Sequence, residues 1–227
     1  MLQSFTSRVT IPLLLRLVAA FAVFAACAVL FVALADEVLE GDTLWFDEAI
    51  LLHIYGGATP FWDHFFLTVT HLGDFIGIIG FGGILLALLG LRHKYRDMIL
   101  LGSGVAGAAL INVILKSIFE RTRPDLWEQL INEASFSFPS GHAMASSAFA
   151  FSVIAVFWYT RYRYLALVLG VLFMFVIGFS RLYLGVHYPT DILGGWLVSA
   201  VWVGCVVLIV RGIKSKKLLK NNVQNDV

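Results

Sequence analysis

Six long apolar runs constrain this chain more than any other feature of its sequence. They lie at about 11–35, 75–91, 98–119, 142–160, 165–181 and 190–210, and each approaches the roughly 20 residues that a helix needs to cross a bilayer. Of the 227 residues, 59% are hydrophobic with glycine left out of the count and only 14% are charged. Soluble domains reach about 45–50% apolar with glycine included and carry about 25% charged residues, so a water-soluble globule is excluded. The expected fold is an all-α polytopic membrane helix bundle with about six transmembrane helices. One integral membrane domain over 1–213 and a short basic, polar cytoplasmic tail over 214–227 account for the whole sequence.

Arg8, Arg16, Arg92, Lys94, Arg96, Arg161, Arg163, Arg211, Lys214, Lys216, Lys217 and Lys220 all fall on one side of this six-span pattern. They are twelve of the 16 lysines and arginines. The positive-inside trend makes that side the cytoplasm and puts both termini there. A basic start, an apolar stretch and Ala33-Leu34-Ala35 also resemble a cleavable signal, but the stretch exceeds the ~7–15 residues of a signal core, so it is taken as the first span. The first outward connection, Asp36 to Asp74, is acidic and lacks lysine and arginine. Two groups within it, one around Trp45, Phe46, Ile50, Leu51, Ile54 and Tyr55 and one at Phe61, Trp62, Phe65 and Phe66, predict short interfacial helices. Cys27 and Cys205 lie in apolar runs and read as small packing residues.

The four basic residues left over are Lys116, Arg121, Arg123 and Arg181. They sit at the outer ends of the third and fifth spans or just beyond, where charge is costly and marks a functional site. Helix parity brings His142 and His187 to the same face. Converging cations of this kind suit a phosphate, with arginine forks and a lysine point charge. Pro139-Ser140-Gly141-His142 opens the fourth span, so its N–H groups and positive helix end also face an anion, and Gly141 permits close approach. His187 and Asp191 are four apart across the start of the sixth span. That spacing lets the carboxylate hold one imidazole nitrogen and leave the other nucleophilic. His53, His64 and His71 match no compact metal-ligand spacing. Tyr183 and Tyr188 are placed to shape the pocket.

Lys116 to Pro124 reads K-S-I-F-E-R-T-R-P, residues 139–142 read P-S-G-H, and Ser180 to Asp191 reads S-R-L-Y-L-G-V-H-Y-P-T-D. These resemble, in order and without departure, the three-part signature K-x6-R-P, P-S-G-H and S-R-x5-H-x3-D of the type 2 phosphatidic acid phosphatase superfamily. The resemblance implies a covalent mechanism. His187 attacks phosphorus, Asp191 orients its imidazole, and His142 protonates the leaving alkoxide and then activates water. Lys116, Arg123, Ser140, Gly141 and Arg181 bind the phosphoryl oxygens. It further implies a lipid phosphate or diphosphate as substrate at the outer membrane face, with no metal and no cofactor. The expected partners are that lipid and the bilayer, with no nucleic acid and no obligate protein. Phosphatidylglycerophosphate, undecaprenyl diphosphate, phosphatidic acid and lipid A phosphates all fit. Phosphoryl transfer to a lipid or sugar acceptor is the alternative outcome of the same intermediate. Vanadate-dependent halide oxidation and transport are the remaining readings, disfavoured by the six spans and by the complete histidine pair. Arg121 lies outside the signature and is expected to serve as a surface or headgroup cation, and Ser180 to serve packing.

Overall fold

The computed structural model describes residues 3–41 and 45–225. Arg8, Arg16, Lys214, Lys216, Lys217 and Lys220, named above, lie outside the described side chains. The described elements are helical: α1 (Gln3–Leu39), α2 (Trp45–Tyr55), α3 (Pro60–Thr70), a 3₁₀ turn (His71–Gly73), α4 (Phe75–Leu91), α5 (Tyr95–Phe119), α6 (Gly141–Phe157), α7 (Arg163–Tyr183) and α8 (Pro189–Asn225). The two short helices expected in the first outward connection are α2 and α3. The last helix continues through the expected tail as far as Asn225.

Helices stand at all six positions where the apolar runs predict them, yet the number long enough to cross is smaller. Phe21–Leu39, Tyr95–Phe119, Arg163–Tyr183 and Pro189–Gly212 qualify singly, while Pro60–Gly73 and Phe75–Leu91 qualify only as a pair bent by 52°. Among the described residues that makes four candidate spans, or five with the bent pair, so the expected count of about six is approximate. Helix α6 has 17 residues, about 25 Å at 1.5 Å per residue, against a hydrocarbon core of about 30 Å.

Local chemistry sets these ends. Asp74 accepts from the Gly77 N–H at 2.8 Å and caps α4, which is where the bent pair breaks. Thr160 ends α6 as its hydroxyl donates to the Phe157 carbonyl at 2.8 Å and accepts from Tyr162 N–H at 3.1 Å, a local bond that competes with helix continuation.

Helix α6 packs against α5, α7 and α8. It buries Ala143, Ser146, Ser147, Ala148, Ala150 and Ser152, small side chains that let neighbouring backbones approach closely. Ala108, Met144, Ala148, Val198 and Val203 form the centre of the bundle. The outward faces carry Phe21, Val29, Phe75, Ile76, Ile84, Leu110, Val168 and Leu172, all exposed. An apolar exterior of this extent is compatible with a lipid surround and not with water, so the chain is an integral membrane protein. At one end α2 and α3 lie over the bundle. Phe66 of α3 packs on Tyr183, Leu184 and Val186, and Tyr55 of α2 stacks on Trp127 with centroids 4.4 Å apart.

Candidate active site

Three connections meet at the end covered by α2 and α3. Lys116 is in the last turn of α5, Arg181 in the last turn of α7 and Asp191 in the first turn of α8. The chain leaves α5 through Glu120 in the left-handed region (φ 46°) and crosses the bundle end as a non-helical segment to Ser140, which caps α6 by accepting from Ala143 N–H at 3.4 Å. Between α7 and α8 the turn uses Gly185 at φ 70°. A Cβ there would lie 2.7 Å from the Trp127 ring, so both conformation and space require glycine. This tight turn delivers His187 into the bundle, where it is 1% exposed.

His187 is held from both ring nitrogens. Its Nδ1 is 3.2 Å from Asp191 Oδ2 and 3.3 Å from Ser137 Oγ, and its Nε2 is 3.1 Å from Nη1 of Arg123. A guanidinium only donates, so Nε2 is the acceptor and Nδ1 carries the proton towards Asp191. The tautomer is assigned from these partners. Asp191 is fully buried. Its Oδ2 also accepts from Tyr188 N–H at 2.8 Å and from the Ser137 hydroxyl, and its Oδ1 accepts from Arg121 Nη1 at 2.6 Å. Burial, with Arg123, Arg181 and Lys116 adding like charge, holds the His187 imidazole well below its ordinary pKa, so it stays neutral with a lone pair on Nε2.

Around that lone pair lies the cationic pocket. Arg181 is buried; its Nη1 donates to Thr70 Oγ1 at 2.8 Å and its Nη2 pairs with Glu133, while its Nε has no partner among the described residues. Glu133 also lies 3.7 Å from Nη2 of Arg123. One carboxylate thus sits against both signature arginines, which shows that they converge on an anion. Arg123 spends its remaining donors on Ser135 O at 2.8 Å, Val186 O at 2.6 Å, Ser135 Oγ at 3.2 Å and Phe136 O at 3.4 Å. Lys116 Nζ donates to Ser135 Oγ at 2.8 Å and to Phe136 O at 2.6 Å, leaving one of its three donors for a ligand. His142 stands half-buried in the first turn of α6.

The P-S-G-H segment is more committed to structure than its sequence suggests. Ser140 is buried; its N–H donates to the Asp191 carbonyl at 3.1 Å and its Oγ caps α6, so it locks α6 to α8. Gly141 brings α6 against α5, where a Cβ would lie 3.2 Å from Asn112 Oδ1. The Gly141 and His142 amides, in the first helical turn, have no carbonyl one turn earlier to accept them.

Arg121 is not the surface cation its position outside the signature suggests. Its side chain is 9% exposed and bridges Asp47 and Asp191 with its guanidinium 4.3 Å over the Tyr188 ring. Sequence reasoning also missed Thr70, Glu133 and Ser137, each of which touches a signature residue here, and Asp47, which reaches Asp191 through Arg121. Tyr183 is engaged elsewhere, donating to Asp63 Oδ1 at 2.6 Å. Among the described residues no three or more His, Cys, Asp or Glu side chains are grouped to hold a metal ion.

Sequence and fold are similar to those of known proteins. A model of the PAP2 superfamily matches residues 97–214. The chain is 30% identical over 192 residues to phosphatidylglycerophosphatase B of Bacillus subtilis (strain 168), covering 82% of this chain and 92% of that protein. It is 32% identical over 170 residues to lipid A 4'-phosphatase of Bacteroides thetaiotaomicron, covering 67% of this chain and 72% of that one. Its fold is similar to the crystal structure of a transmembrane PAP2 type phosphatidylglycerolphosphate phosphatase from Bacillus subtilis, with a TM-score of 0.72 at 27% identity over 85% of this chain and 96% of the other.

Proposed function

The chain belongs to the PAP2 superfamily, and from that premise we propose that it hydrolyses a membrane lipid phosphate or diphosphate through a phosphohistidine on His187. The observation that carries the reading is the two-sided grip on His187: Asp191 accepts a hydrogen bond from Nδ1–H while Nε2 points, unprotonated, at Arg123 in the cationic pocket. A phosphate entering the pocket takes over the Arg123 donor and releases the Nε2 lone pair beside phosphorus.

In the first step the Nε2–P bond forms, the bond from phosphorus to the leaving oxygen breaks, and His142 gives that oxygen a proton. In the second, His142 takes a proton from water, the water oxygen attacks phosphorus, and the N–P bond breaks to regenerate His187. Asp191 compensates the charge on the imidazole in both. Lys116, Arg123, Arg181 and the α6 amides at Gly141 and His142 stabilise the phosphoryl oxygens as charge redistributes, while Ser140 aims the start of α6. The positive charge of the site comes from side chains, so no metal enters this scheme.

A lipid substrate suits a pocket at the ends of membrane helices, because a tail in the bilayer delivers its phosphate by diffusion along the membrane. Relatives named for phosphatidylglycerophosphate, lipid A and undecaprenyl diphosphate supply the substrate classes to compare. The 12 to 4 division of basic residues supports an outward-facing site.

The test is to trap the intermediate. Purified protein quenched in alkali after mixing with radiolabelled lipid phosphate should carry base-stable, acid-labile label that His187→Ala lacks, and turnover should survive EDTA. Label remaining on His187→Ala, or strict dependence on magnesium, would overturn the scheme.

A further inference from the structure

Behind the catalytic pair lies a buried ion network that joins the first outward segment to Asp191. We propose that Asp47 and Arg121 are positioning residues for the reaction: together they hold the Asp191 carboxylate, and through it the His187 imidazole, from the side opposite the substrate. This rests on the phosphohistidine reading above.

The contacts run in an alternating chain of charge. Asp47, fully buried in α2, accepts from Thr190 N–H at 3.0 Å and from the Thr190 hydroxyl at 2.6 Å. It pairs with Arg121 Nη2 at 3.0 Å. Nη1 of Arg121 reaches Asp191 Oδ1 at 2.6 Å and Thr190 Oγ1 at 2.7 Å. The other oxygen of Asp191 is the one that faces His187. Arg121 therefore occupies one carboxylate oxygen and presents the second to the imidazole. A buried unpaired carboxylate on a short, largely exposed helix would be strongly destabilising, and Asp47 avoids this by serving the α8 first turn and Arg121 at once.

The charge count explains why a second carboxylate is needed. Arg121 alone would neutralise Asp191 and leave nothing to balance the positive charge that His187 gains on forming its bond to phosphorus. With Asp47 present, two carboxylates face one guanidinium, and one negative charge remains for the imidazole. The network thereby extends the reaction machinery beyond the signature and into a helix outside the region that the family model matches.

A role through Asp191 differs from a purely structural one in its kinetics. Asp47→Asn and Arg121→Gln should each lower kcat by about tenfold to a hundredfold, the range for displacing a partner that orients a histidine, with KM within about twofold of wild type. Arg121→Lys, which reaches one carboxylate but cannot bridge two, should fall between. Placed in an Asp191→Asn background, Arg121→Gln should cause no further loss, since the group it acts through has already been changed. Thermal melting in detergent checks that the variants are folded; should Arg121→Gln fail to fold, Asp47→Asn and Arg121→Lys carry the same comparison. Wild-type kcat in the folded variants overturns the proposal, as does an equal loss from Arg121→Gln with and without Asp191. Activity retained by His187→Ala would instead sink the parent reading, so the two failures are distinct.

Discussion

Replacing Asp191 by asparagine changes one atom of a fully buried side chain and should disable the site in a calculable way. Four donors converge on this carboxylate: the Ser137 hydroxyl, His187 Nδ1 and Tyr188 N–H on Oδ2, and Arg121 Nη1 on Oδ1. Asparagine has an acceptor at one position and a donor at the other, so it conflicts with its surroundings in either orientation. With its nitrogen at Oδ1 it faces the guanidinium at 2.6 Å and forfeits a charge-assisted bond. With its nitrogen at Oδ2 it faces Tyr188 N–H at 2.8 Å and forces the His187 proton onto Nε2, against Arg123 Nη1 at 3.1 Å, which removes the nucleophilic lone pair.

Losing a hydrogen bond to a charged group costs about 1.5–3 kcal/mol, and a buried donor left unpaired about 1–3 more. If about 3–5 kcal/mol of this is felt in the transition state, kcat falls roughly a hundredfold to several thousandfold. The loss should still be smaller than that of His187→Ala, because the nucleophile remains. The assay is steady-state turnover of a lipid phosphate in detergent micelles, with His187→Ala as the floor and thermal melting as the check on folding. A folded Asp191→Asn protein with kcat within about threefold of wild type would refute the reasoning, since no orientation of the amide satisfies its neighbours.

Three further outcomes are expected. Because His187 is held well below its ordinary pKa of 6.5, first by burial and then by Arg123, Arg181 and Lys116, the unfolded chain binds a proton there on acidification through that value while the folded chain does not. Stability should therefore decline as the pH falls below about 6.5, and Arg123→Gln should move the acid limb of kcat/KM to higher pH; an unmoved limb would contradict the charge assignment. Gly107→Ala would place a Cβ 2.2 Å from Trp202 Cζ2, where overpacking costs about 1–3 kcal/mol, so its melting temperature should drop, and an unchanged melt would show that Trp202 yields. A single cysteine introduced in the 121–138 segment should react with an impermeant thiol reagent added outside intact cells and one beside Arg161 should not; the reverse pattern would place the site in the cytoplasm.

What the sequence made legible was local. Spans appear as apolar runs because a lipid surround imposes a length and a composition on each helix, and the signature residues lie within short segments whose helix parity brings them to one end. The interruptions were not legible in hydropathy. The run over 142–160 stays apolar past Phe157, where α6 ends, and the 75–91 run does not reveal that Asp74 bends it away from α3. The supporting residues were invisible for a different reason. Asp47 and Thr190 are 143 residues apart in sequence and Arg121 and Asp47 are 74 apart, so no periodicity or spacing links them. The one available hint, that buried arginine requires a counter-ion, needs the knowledge that Arg121 is buried.

The same residues explain how four cations can persist at these helix ends. Lys116, Arg121, Arg123 and Arg181 face the carboxylates of Asp47, Glu133 and Asp191, and Asp74 also acts on Arg181, so each cation has acidic partners at this end of the bundle. Of the three carboxylates, Asp47 and Asp191 are fully buried and bonded on both oxygens, whereas the Glu133 side chain is 26% exposed and rests directly on the two signature arginines. In the proposed mechanism Glu133 is therefore the anion that gives way. Exchange of its single charge for a phosphate dianion adds one negative charge to the cationic pocket. A monoanion such as a singly protonated phosphate ester only replaces the charge that Glu133 takes away, and a second fixed carboxylate at the mouth would oppose the exchange. The cations that appear out of place in the sequence are thus held by carboxylates, one of which the substrate phosphate replaces in the proposed mechanism.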